Sequence, residues 1–368
     1  MGANLLYRIA FASLRGINRT LAEELLARVE TEERFFSLSQ KELIELVGFD
    51  NKLLDRKYRD EVLQKAASEV DFIEKHKNVR AIYYTDPEFP SRLADCEDAP
   101  IILYVTGSCN LNTTHMVSIV GTRHATPYGN TFVNRLVDDL AAKLDDVAII
   151  SGLAYGIDIT AHRAALRNNI PTIAVLAHGL NTIYPAAHRN CAVEIIQNGG
   201  ALVTDYRTSD SIHRGNFIAR NRIVASLSDC VIVAESAKKG GALITASLAS
   251  GYCRDVFALP GRTSDTYSAG CNHLIASNTA ALVTDADDII SAMRWTPRLA
   301  EGSQSEMFVE LSDEEQSVVD YLTSHGEAQI NTLCIALNIP IARLMGLLID
   351  MEFKGLVLTF PGGKYRLA

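Results

Sequence analysis

The sequence predicts an α/β protein built on a doubly wound, mostly parallel sheet, with a small helical domain before the sheet and a winged helix after it. Short, nearly continuous apolar runs alternate with helix-length segments between residues 79 and 295. Residues 1–78 have helical patterns without such runs, and residues 311–368 have three helical segments followed by a hairpin signal. These three observations together predict an α/β protein with a helical domain before its sheet and a winged helix after it.

The length and composition are those of a globular protein. The 368 residues are enough for two or three domains with a sizeable core. Hydrophobic residues make up 48% and charged residues 21% of the chain. The longest apolar runs are too short to span a bilayer, and the amino terminus lacks the pattern of a signal peptide. We therefore expect a cytoplasmic protein with no membrane partner.

Several site classes find no support in the sequence. The seven cysteines are scattered and never form a C-x-x-C pair, so we expect reduced, structural thiols and no zinc site. Neither G-x-G-x-x-G after the first central strand nor G-x-x-x-x-G-K-[ST] occurs, so neither NAD nor ATP binding is indicated. We expect no metal and no cofactor.

Charge is unevenly distributed along the chain. The net charge of −9 argues against a protein that coats nucleic acid over its whole surface. Residues 205–262, however, hold eight Lys or Arg against five Asp or Glu, whereas residues 299–325 hold seven acids and no Lys or Arg. A local basic groove in the middle of the chain is compatible with this pattern.

The first domain, residues 1–78, is predicted to be helical. Residues 14–29 follow a helix-hairpin-helix pattern, with Asn18 where the second turn residue is usually Gly. Because Asn tolerates the left-handed conformation, we expect Asn18 to occupy that turn. Residues 46–54 repeat a turn of similar type. Contact with DNA backbone, a protein-interaction role and a plain helical bundle all remain open for this domain.

The second domain, residues 79–295, is predicted to hold the sheet. Strands buried on both faces lose their alternation and read as continuous apolar runs, which favours parallel strands covered by helices. RAIYY and APIILYV predict two more strands at the start of this domain. The six central runs are 116–121, 147–151, 172–177, 201–204, 230–235 and 255–260.

The carboxyl-terminal part is predicted to be a linker, residues 296–310, followed by a winged helix, residues 311–368. Ser312 and Glu315 have the spacing of a capping box, and PGGK predicts the hairpin turn. The helix that would read DNA, residues 340–352, carries one Arg against two acids. This charge favours a degenerate or protein-binding wing over a DNA-binding one.

Three turns of the sheet domain have the composition of anion sites. Ligands of doubly wound sheets bind at the carboxyl ends of the strands, where turns meet helix N-termini. Residues 121–123 follow the first central strand, residues 151–152 the second and residues 238–241 the fifth. Glycines, exposed amides and a neighbouring cation at such turns favour the binding of phosphate.

Catalytic patterns are weak. Ser151, Asp158 and His162 are the residue types of a triad, but G-x-S-x-G is absent. Asp158 and His162 are one helical turn apart, so we expect them to form a bracing pair within one helix. Only Asp205 and Glu235 offer carboxylates at other strand ends. We expect no catalysis.

The segment FIARNRIVASLS, residues 217–228, places Arg220 and Arg222 in an apolar helical run. Side chains two positions apart on a helix point about 200° apart, so the two guanidinium groups cannot share one solvent face. A half-buried Arg needs an anionic partner, which is either a protein carboxylate or a phosphate. Cations beside the Phe217 ring are the composition of a single-strand site.

The sheet domain contains six blocks in this order: SIVGTRHATPYG, SGLAYGIDITAH, VLAHGLNTIYP, FIARNRIVASLS, GGALITASLA and LPGRTSDTYSAGCNHLI. In order and spacing, these blocks resemble the signature of the DNA-processing protein A family, also called Smf. The resemblance implies an extended Rossmann fold, a SAM-like helical domain and a winged helix. It further implies a homodimer without established catalysis that binds single-stranded DNA and loads RecA recombinase onto it in natural transformation.

The resemblance and the turn analysis together give a set of candidate DNA-binding residues. Two departures from the family pattern are Ile218, where many relatives have Pro, and Gly240, where many have Ser. We expect Arg220 and Arg222 to divide their roles, one facing DNA and the other tying its helix to the sheet. The set is Gly121, Thr122, Arg123, Gly152, Arg214, Phe217, Arg220, Asn221, Arg222, Lys239, Gly240 and Gly241.

Two alternatives remain. GGALITA resembles the helix start of lysine-decarboxylase-like phosphoribohydrolases, which are nucleotide-processing enzymes, but the final Glu of their motif is missing here. A scaffold that joins partners through its terminal domains is the other alternative, and it predicts no affinity for DNA.

Overall fold

The computed structural model describes residues 2–298, 311–354, 356–360 and 362–367. The chain divides into two units, Met1–Arg298 and Leu299–Ala368. Most of the predicted linker, from residue 299 to residue 310, lies outside the described residues. This division does not separate residues 1–78 from the sheet, so the boundary after residue 78 stays a prediction.

The first unit is built on a nine-stranded sheet with the order β1-β2-β6-β5-β4-β3-β7-β8-β9. The seven strands that follow β2 in this order, beginning with β6 and ending with β9, are all parallel. The two remaining pairs, β1 with β2 and β2 with β6, are antiparallel. The predicted strands and the mostly parallel sheet are confirmed. The strands are β1 Val79–Tyr83, β2 Ile102–Gly107, β3 His115–Val120, β4 Val147–Ser151, β5 Thr172–Val175, β6 Ala201–Thr204, β7 Cys230–Val233, β8 Asp255–Ala258 and β9 Ala281–Leu282.

Helices cover both faces of this sheet. On one face α7, α8 and α13 bury side chains such as Leu136, Ala161 and Ile289, and on the other α10, α11 and α12 bury Ile223 and Ala246, among others. The helices that follow the amino-terminal ones are α6 Ser91–Ala94, α7 Pro127–Lys143, α8 Ile157–Arg167, α9 Arg189–Gln197, α10 Arg214–Ser226, α11 Gly241–Gly251, α12 Ala269–Ala276 and α13 Ala286–Met293.

The amino-terminal helices share one core with the edge of the sheet. Their apolar side chains pack in a single cluster with Tyr83 of β1 and with Ile102 and Tyr104 of β2. Arg59 is fully buried in this cluster and donates to the carbonyl oxygens of Phe35 and three neighbouring residues. The helices are α1 Gly2–Ala12, α2 Arg19–Val29, α3 Glu32–Ser37, α4 Gln40–Val47 and α5 Arg56–Lys75.

The expected left-handed conformation of Asn18 is wrong. Asn18 is extended, with φ −133°, and its side chain accepts a hydrogen bond of 2.9 Å from the amide of Leu21 as the N-cap of α2. Gly16 has the positive φ, +81°, and turns the chain before the cap. Asn is favoured both as an N-cap and in the left-handed conformation. Here the Asn18 side chain caps α2, while Gly16 takes the positive φ, for which no side chain is needed.

The second unit is a winged helix. Three helices precede a hairpin, and the capping box of Ser312 and Glu315 is present. A short strand, β10, completes a sheet with the order β10-β12-β11. The elements are α14 Asp313–His325, β10 Glu327–Gln329, α15 Ile330–Leu337, α16 Ile341–Phe353, β11 Val357–Phe360 and β12 Lys364–Leu367.

In the described part of the chain, no single helix is long and apolar enough to cross a membrane. One pair, Ile330–Leu337 with Ile341–Glu352, reaches the required length and composition together, but it is bent by 112°.

The strand order places a switch point between β3 and β7. The connection from β3 runs through α7 to β4 on one side, and that from β7 runs through α11 to β8 on the other. The loops therefore diverge above the carboxyl ends of β3 and β7 and leave a crevice, which is where doubly wound sheets bind their ligands.

Candidate nucleic-acid interface

A cleft of about 1170 Å³ opens above β3 and β7. Two members of the predicted set, Gly152 and Arg222, lie outside its lining. The fold thus brings most of the predicted residues together at the switch point. The ten that line the cleft are Gly121, Thr122, Arg123, Arg214, Phe217, Arg220, Asn221, Lys239, Gly240 and Gly241.

The loop after β3 holds Arg123 at the mouth of the cleft. The amide of Thr122 donates to the carbonyl oxygen of Glu235 at 2.7 Å, and the amide of Ile157 donates to the carbonyl oxygen of Thr122 at 3.2 Å. A Cβ atom at Gly121 would lie 2.4 Å from a side-chain carbon of Ile157, so only glycine permits this approach. The loop is fastened on both sides, while the Arg123 side chain is exposed.

One aromatic ring, Phe217, lies beside Arg123, and a second ring, Tyr184, packs against the first. The guanidinium carbon of Arg123 is 5.7 Å from the centroid of the Phe217 ring, within the range of a cation–π interaction. The Tyr184 ring packs edge-on against Phe217, with centroids 5.5 Å apart and an interplanar angle of 62°. Tyr184 is 49% exposed and lines the cleft. The row of one cation and two rings offers faces on which bases can stack.

Tyr184 lines the cleft but is not in the set predicted from the sequence. It stands in the loop between β5 and α9, within the quoted block that ends in TIYP. An aromatic residue after the carboxyl end of a predicted strand was the available signal. Tyr184 was not predicted because it has no cation beside it in the sequence, whereas Phe217 lies near Arg214 and Arg220.

Arg220 is buried and belongs to the floor of the cleft. It is 5% exposed and donates to the carbonyl oxygen of Gly152 at 2.7 Å and to that of Val175. A Cβ atom at Gly152 would lie 2.4 Å from the guanidinium, so the glycine leaves room for it. Burial lowers the pKa of Arg220, and the carboxylate of Asp158 opposes this shift.

Asp158 lies at the start of α8, under the cleft. Its Oδ2 accepts hydrogen bonds from the amides of Gly152 at 3.1 Å and Ala154 at 3.4 Å. Burial raises the pKa of Asp158, while the charge of Arg220 and these amides lower it. The carboxylate therefore stabilises the loop after β4 and the buried guanidinium.

The expected bracing pair between Asp158 and His162 is wrong. His162 shares a hydrogen bond of 2.7 Å between its Nδ1 and the hydroxyl of Thr172, because the ring lies against β5 while Asp158 is directed to the loop amides. Ser151 donates its hydroxyl proton to the carbonyl oxygen of Ile119 at 2.6 Å. The hydrogen bonds of the described residues thus do not connect these three side chains as a triad.

Arg222 is tied to the other side of α10. It pairs with the carboxylate of Asp205 at the end of β6 and donates to the carbonyl oxygen of Asp98 at 2.6 Å. Burial raises the pKa of Asp205, and the charge of Arg222 opposes this rise. Arg220 thus lines the cleft, whereas Arg222 lies outside its lining and ties α10 to the end of β6. The expected division of roles stays a prediction.

The loop after β7 supplies the opposite wall. Helix α11 begins at Gly241, and no side chain caps it. A Cβ atom at Gly240 would lie 2.2 Å from Oγ of Ser236, so Ser236 fills the space that a serine side chain at residue 240 would need. Lys239 is exposed beside this helix start.

The cleft is rich in unpaired positive charge. Among the described residues, Arg123, Arg214 and Lys239 are exposed and have no carboxylate within salt-bridge distance. Asp158 is the one acidic residue of the lining. Across the described ranges, no group of three or more His, Cys, Asp or Glu has the arrangement of a metal site. The arrangement suits an anionic ligand with aromatic or planar parts.

Comparison with known proteins gives two family matches. Residues 80–294 match a family described as DNA recombination-mediator protein A, and residues 309–363 match one described as the DprA winged helix domain. Protein Smf of Synechocystis sp. is 32% identical over 307 residues, which are 82% of this chain and 75% of that protein.

Two solved structures have the same fold. The X-ray structure of DNA processing protein A from Streptococcus pneumoniae matches with a TM-score of 0.62 and 29% identity, over 78% of this chain and 96% of that one. A structure of DNA processing protein A from Helicobacter pylori, described for its single-stranded DNA binding mode, matches with a TM-score of 0.53 and 31% identity. The match covers 60% of this chain and 97% of that one. The fold class and the family resemblance predicted from the sequence are confirmed.

Proposed function

The chain belongs to the DNA recombination-mediator protein A family, and we propose that it binds single-stranded DNA in the cleft above β3 and β7. The observation that carries this proposal is the row of Arg123, Phe217 and Tyr184, with 5.7 Å and 5.5 Å between neighbours. Unpaired cations bind phosphates, and the adjacent rings stack on bases. The relative from H. pylori is described as a single-stranded DNA binder.

In this proposal, the phosphates lie against the cations and the amino end of α11, while the bases contact the rings. Arg123 and Lys239 come from opposite walls, after β3 and after β7. Arg220 keeps the floor rigid through its carbonyl contacts and contributes a positive charge from below. A base in a duplex has both faces occupied by its neighbours, so stacking on Phe217 or Tyr184 favours single strands.

The test is the affinity of the full chain for a fluorescent oligothymidine and for a blunt duplex of the same length, measured by anisotropy. We expect tight binding of the single strand, and competition by unlabelled single strand but not by duplex. Equal affinity for both ligands would refute the stacking arrangement, and no affinity for either would favour the scaffold alternative.

We further propose that the protein acts in the cytoplasm as a homodimer that loads RecA onto the bound strand in natural transformation. The support is membership of a family described as recombination mediators. The seven thiols, all free, suit a reducing compartment. The measurement is the lag before RecA hydrolyses ATP on a single strand covered by single-strand binding protein. An unchanged lag at saturating protein would refute this role.

The proposal includes no catalysis. The one acidic residue of the cleft lining, Asp158, already accepts two amide hydrogen bonds and faces Arg220. A phosphoribohydrolase needs a carboxylate at its reacting sugar, and α11 contains none between Gly241 and Gly251. Incubation with nucleoside monophosphates is expected to release no free base. Base release that is lost in Asp158→Asn would establish the enzyme alternative instead.

A further inference from the structure

The helix of the wing that would enter a DNA groove exposes an apolar face. We call the residues of this face the apolar stripe: Ile341, Ala342, Met345, Gly346 and Ile349 of α16, all of them exposed. The three large side chains are 51%, 49% and 48% exposed, in chain order. Spacings of four residues keep them on one face. The opposite face, with Leu344, Leu348 and Met351, forms the core of the wing.

The charges of the wing do not suit DNA. Residues 311–368 contain four Lys or Arg, and three of them form ion pairs with carboxylates of the same wing. These pairs are Arg343–Glu314, Lys354–Glu315 and Lys364–Glu327. A surface that neutralises its own cations around an apolar helix has the composition of a protein interface, not of a phosphate-binding one.

The charges beside the stripe indicate which protein surface fits it. Arg343 and Asp350 are seven residues apart on α16, so they lie on the same flank of the stripe, near opposite ends of the helix. When two copies of one helix pack antiparallel about a two-fold axis, each flank meets the same flank of the other copy. Arg343 of one copy then lies about one helical turn or less from Asp350 of the other copy, and the reverse pair forms as well. The pair of Arg343 with Glu314 is exposed, so Arg343 can exchange that partner for Asp350 at little cost.

We propose that the apolar stripe docks against the apolar stripe of a second copy, with the two α16 helices antiparallel. The two-fold axis passes near Met345, the middle of the three large side chains. Gly346 keeps the backbone close to the surface beside it, and a Cβ atom there would meet nothing within 4 Å. A partner helix can therefore approach closely, as small residues allow at helix crossings.

This contact is small and is expected to be weak by itself. One pair of helix faces buries less than the roughly 1,600 Å² of a standard interface. Copies already held close together, for example on one strand of DNA, would join through their wings because their effective concentration is high. The contact itself does not depend on the DNA-binding proposal.

The first test is a cysteine cross-link in the full chain. Met345→Cys is expected to form a 345–345 disulfide between two copies under mild oxidation, because the axis passes near this residue. Ser324→Cys, also at an exposed position of the same wing but on α14, is the control and is expected to form little disulfide between copies. Equal yields for the two variants, or a link only to the exposed native Cys253, would overturn the proposal. Peptide mass mapping identifies the linked residues.

The second test reverses charges in the Met345→Cys protein. Arg343→Asp or Asp350→Arg alone turns two attractive contacts into two repulsive ones, and we expect the cross-linked yield to fall by about tenfold. A mixture of the two variants restores both pairs across the interface, and the yield is expected to recover. In a parallel pair, Arg343 would face Arg343 and Asp350 would face Asp350, so the single variants would not lower the yield. A fall in both single variants followed by recovery in the mixture therefore supports antiparallel docking, and a mixture that stays as low as the single variants would overturn the proposed geometry. Both positions are exposed, and unchanged melting of each variant shows that it is folded.

Discussion

Arg123 is an exposed cation with no ion-pair partner among the described residues. Its guanidinium contacts the Phe217 ring and is free to meet a phosphate. We expect Arg123→Ala to weaken binding of an oligonucleotide by about 1.5–3 kcal/mol, the range for loss of a charge-assisted hydrogen bond. The melting temperature should stay unchanged. Arg163→Ala on α8, also exposed but outside the cleft lining, is the control and should bind like the parent.

Tyr184 tests the contribution of the second ring. We expect Tyr184→Ala to weaken binding of single-stranded DNA by roughly 1–3 kcal/mol, the range for one stacked base. Tyr184→Phe retains the ring and should bind nearly as the parent does. If both variants lose affinity equally, the hydroxyl group and not the ring face makes the contact. Anisotropy titrations with oligothymidine measure all three proteins.

Gly152 tests the close fit over Arg220. A Cβ atom there would lie 2.4 Å from the guanidinium, which is itself held by two carbonyl oxygens. We expect Gly152→Ala to lower the free energy of unfolding by about 1–3 kcal/mol through overpacking. At Gly251, the last residue of α11, a Cβ atom would meet nothing within 4 Å. Gly251→Ala should therefore leave stability nearly unchanged, and equal losses at both positions in urea unfolding would contradict the argument.

At the scale of elements, His162 ties α8 to β5 as a neutral ring. The hydroxyl of Thr172 donates to the carbonyl oxygen of Ile149 at 2.8 Å, so it accepts from Nδ1–H of His162. The unprotonated Nε2 is buried and has no hydrogen-bond partner among the described residues. A proton added there would be a buried charge without an acceptor. Burial therefore lowers the pKa of His162 from its ordinary value to about 3, and the charge of Arg220 adds to the shift.

The low pKa of His162 predicts how stability depends on pH. Below about pH 6.5 the unfolded chain protonates this ring, while the folded chain does not until about pH 3. The unfolded state then binds more protons, so stability falls as the pH falls through this window. Between pH 7 and pH 5 the His162 contribution is about 2 kcal/mol. Urea unfolding at the two pH values measures how much unfolding free energy is lost. The loss should be about 2 kcal/mol smaller in His162→Gln than in the parent, and identical losses in the two proteins would contradict a neutral buried ring.

The elements show what the sequence could and could not predict. The strands of the parallel part of the sheet were predictable, because burial on both faces removes the alternation of apolar and polar residues. The antiparallel pairing of β2 was not predictable, because a buried apolar run does not indicate the direction of its strand. The cap at Ser312 was predictable from local pattern alone. The role of Asn18 was not, because the cap and the left-handed turn both favour Asn. His162 was misplaced because its partner, Thr172, comes from another element.

The positions of the charged residues of the candidate site could be predicted from the sequence. Glycines and arginines after strands indicated the edge of the sheet where the cleft opens, because the carboxyl ends of parallel strands meet there. The internal partners of Arg220 and Arg222 could not be predicted, because they come from β4, β5 and β6, whose positions depend on the strand order. Pattern alone likewise did not indicate the packing of Tyr184 on Phe217.

At the scale of the whole molecule, a net charge of −9 coexists with a small positive cleft. Three exposed cations line the cleft, and each neutralised phosphate contributes about 0.7 to the slope of log affinity against log salt for single strands. We therefore expect a slope of roughly −2. Arg123→Ala should reduce it by about 0.7, which sodium chloride titrations can resolve. A slope several times steeper would mean that cations outside the cleft bind DNA as well.

The core that the amino-terminal helices share with β1 and β2 determines the order in which the chain can fold during its synthesis. The ribosome delivers α1–α5 before β2, and their core stays incomplete until Ile102 and Tyr104 of β2 have emerged. The free edge of β2 then stays unpaired until its partner β6, residues 201–204, has been synthesised. A chain arrested between these two points would carry a finished helical front beside an unpaired strand edge, open to pairing with another nascent chain.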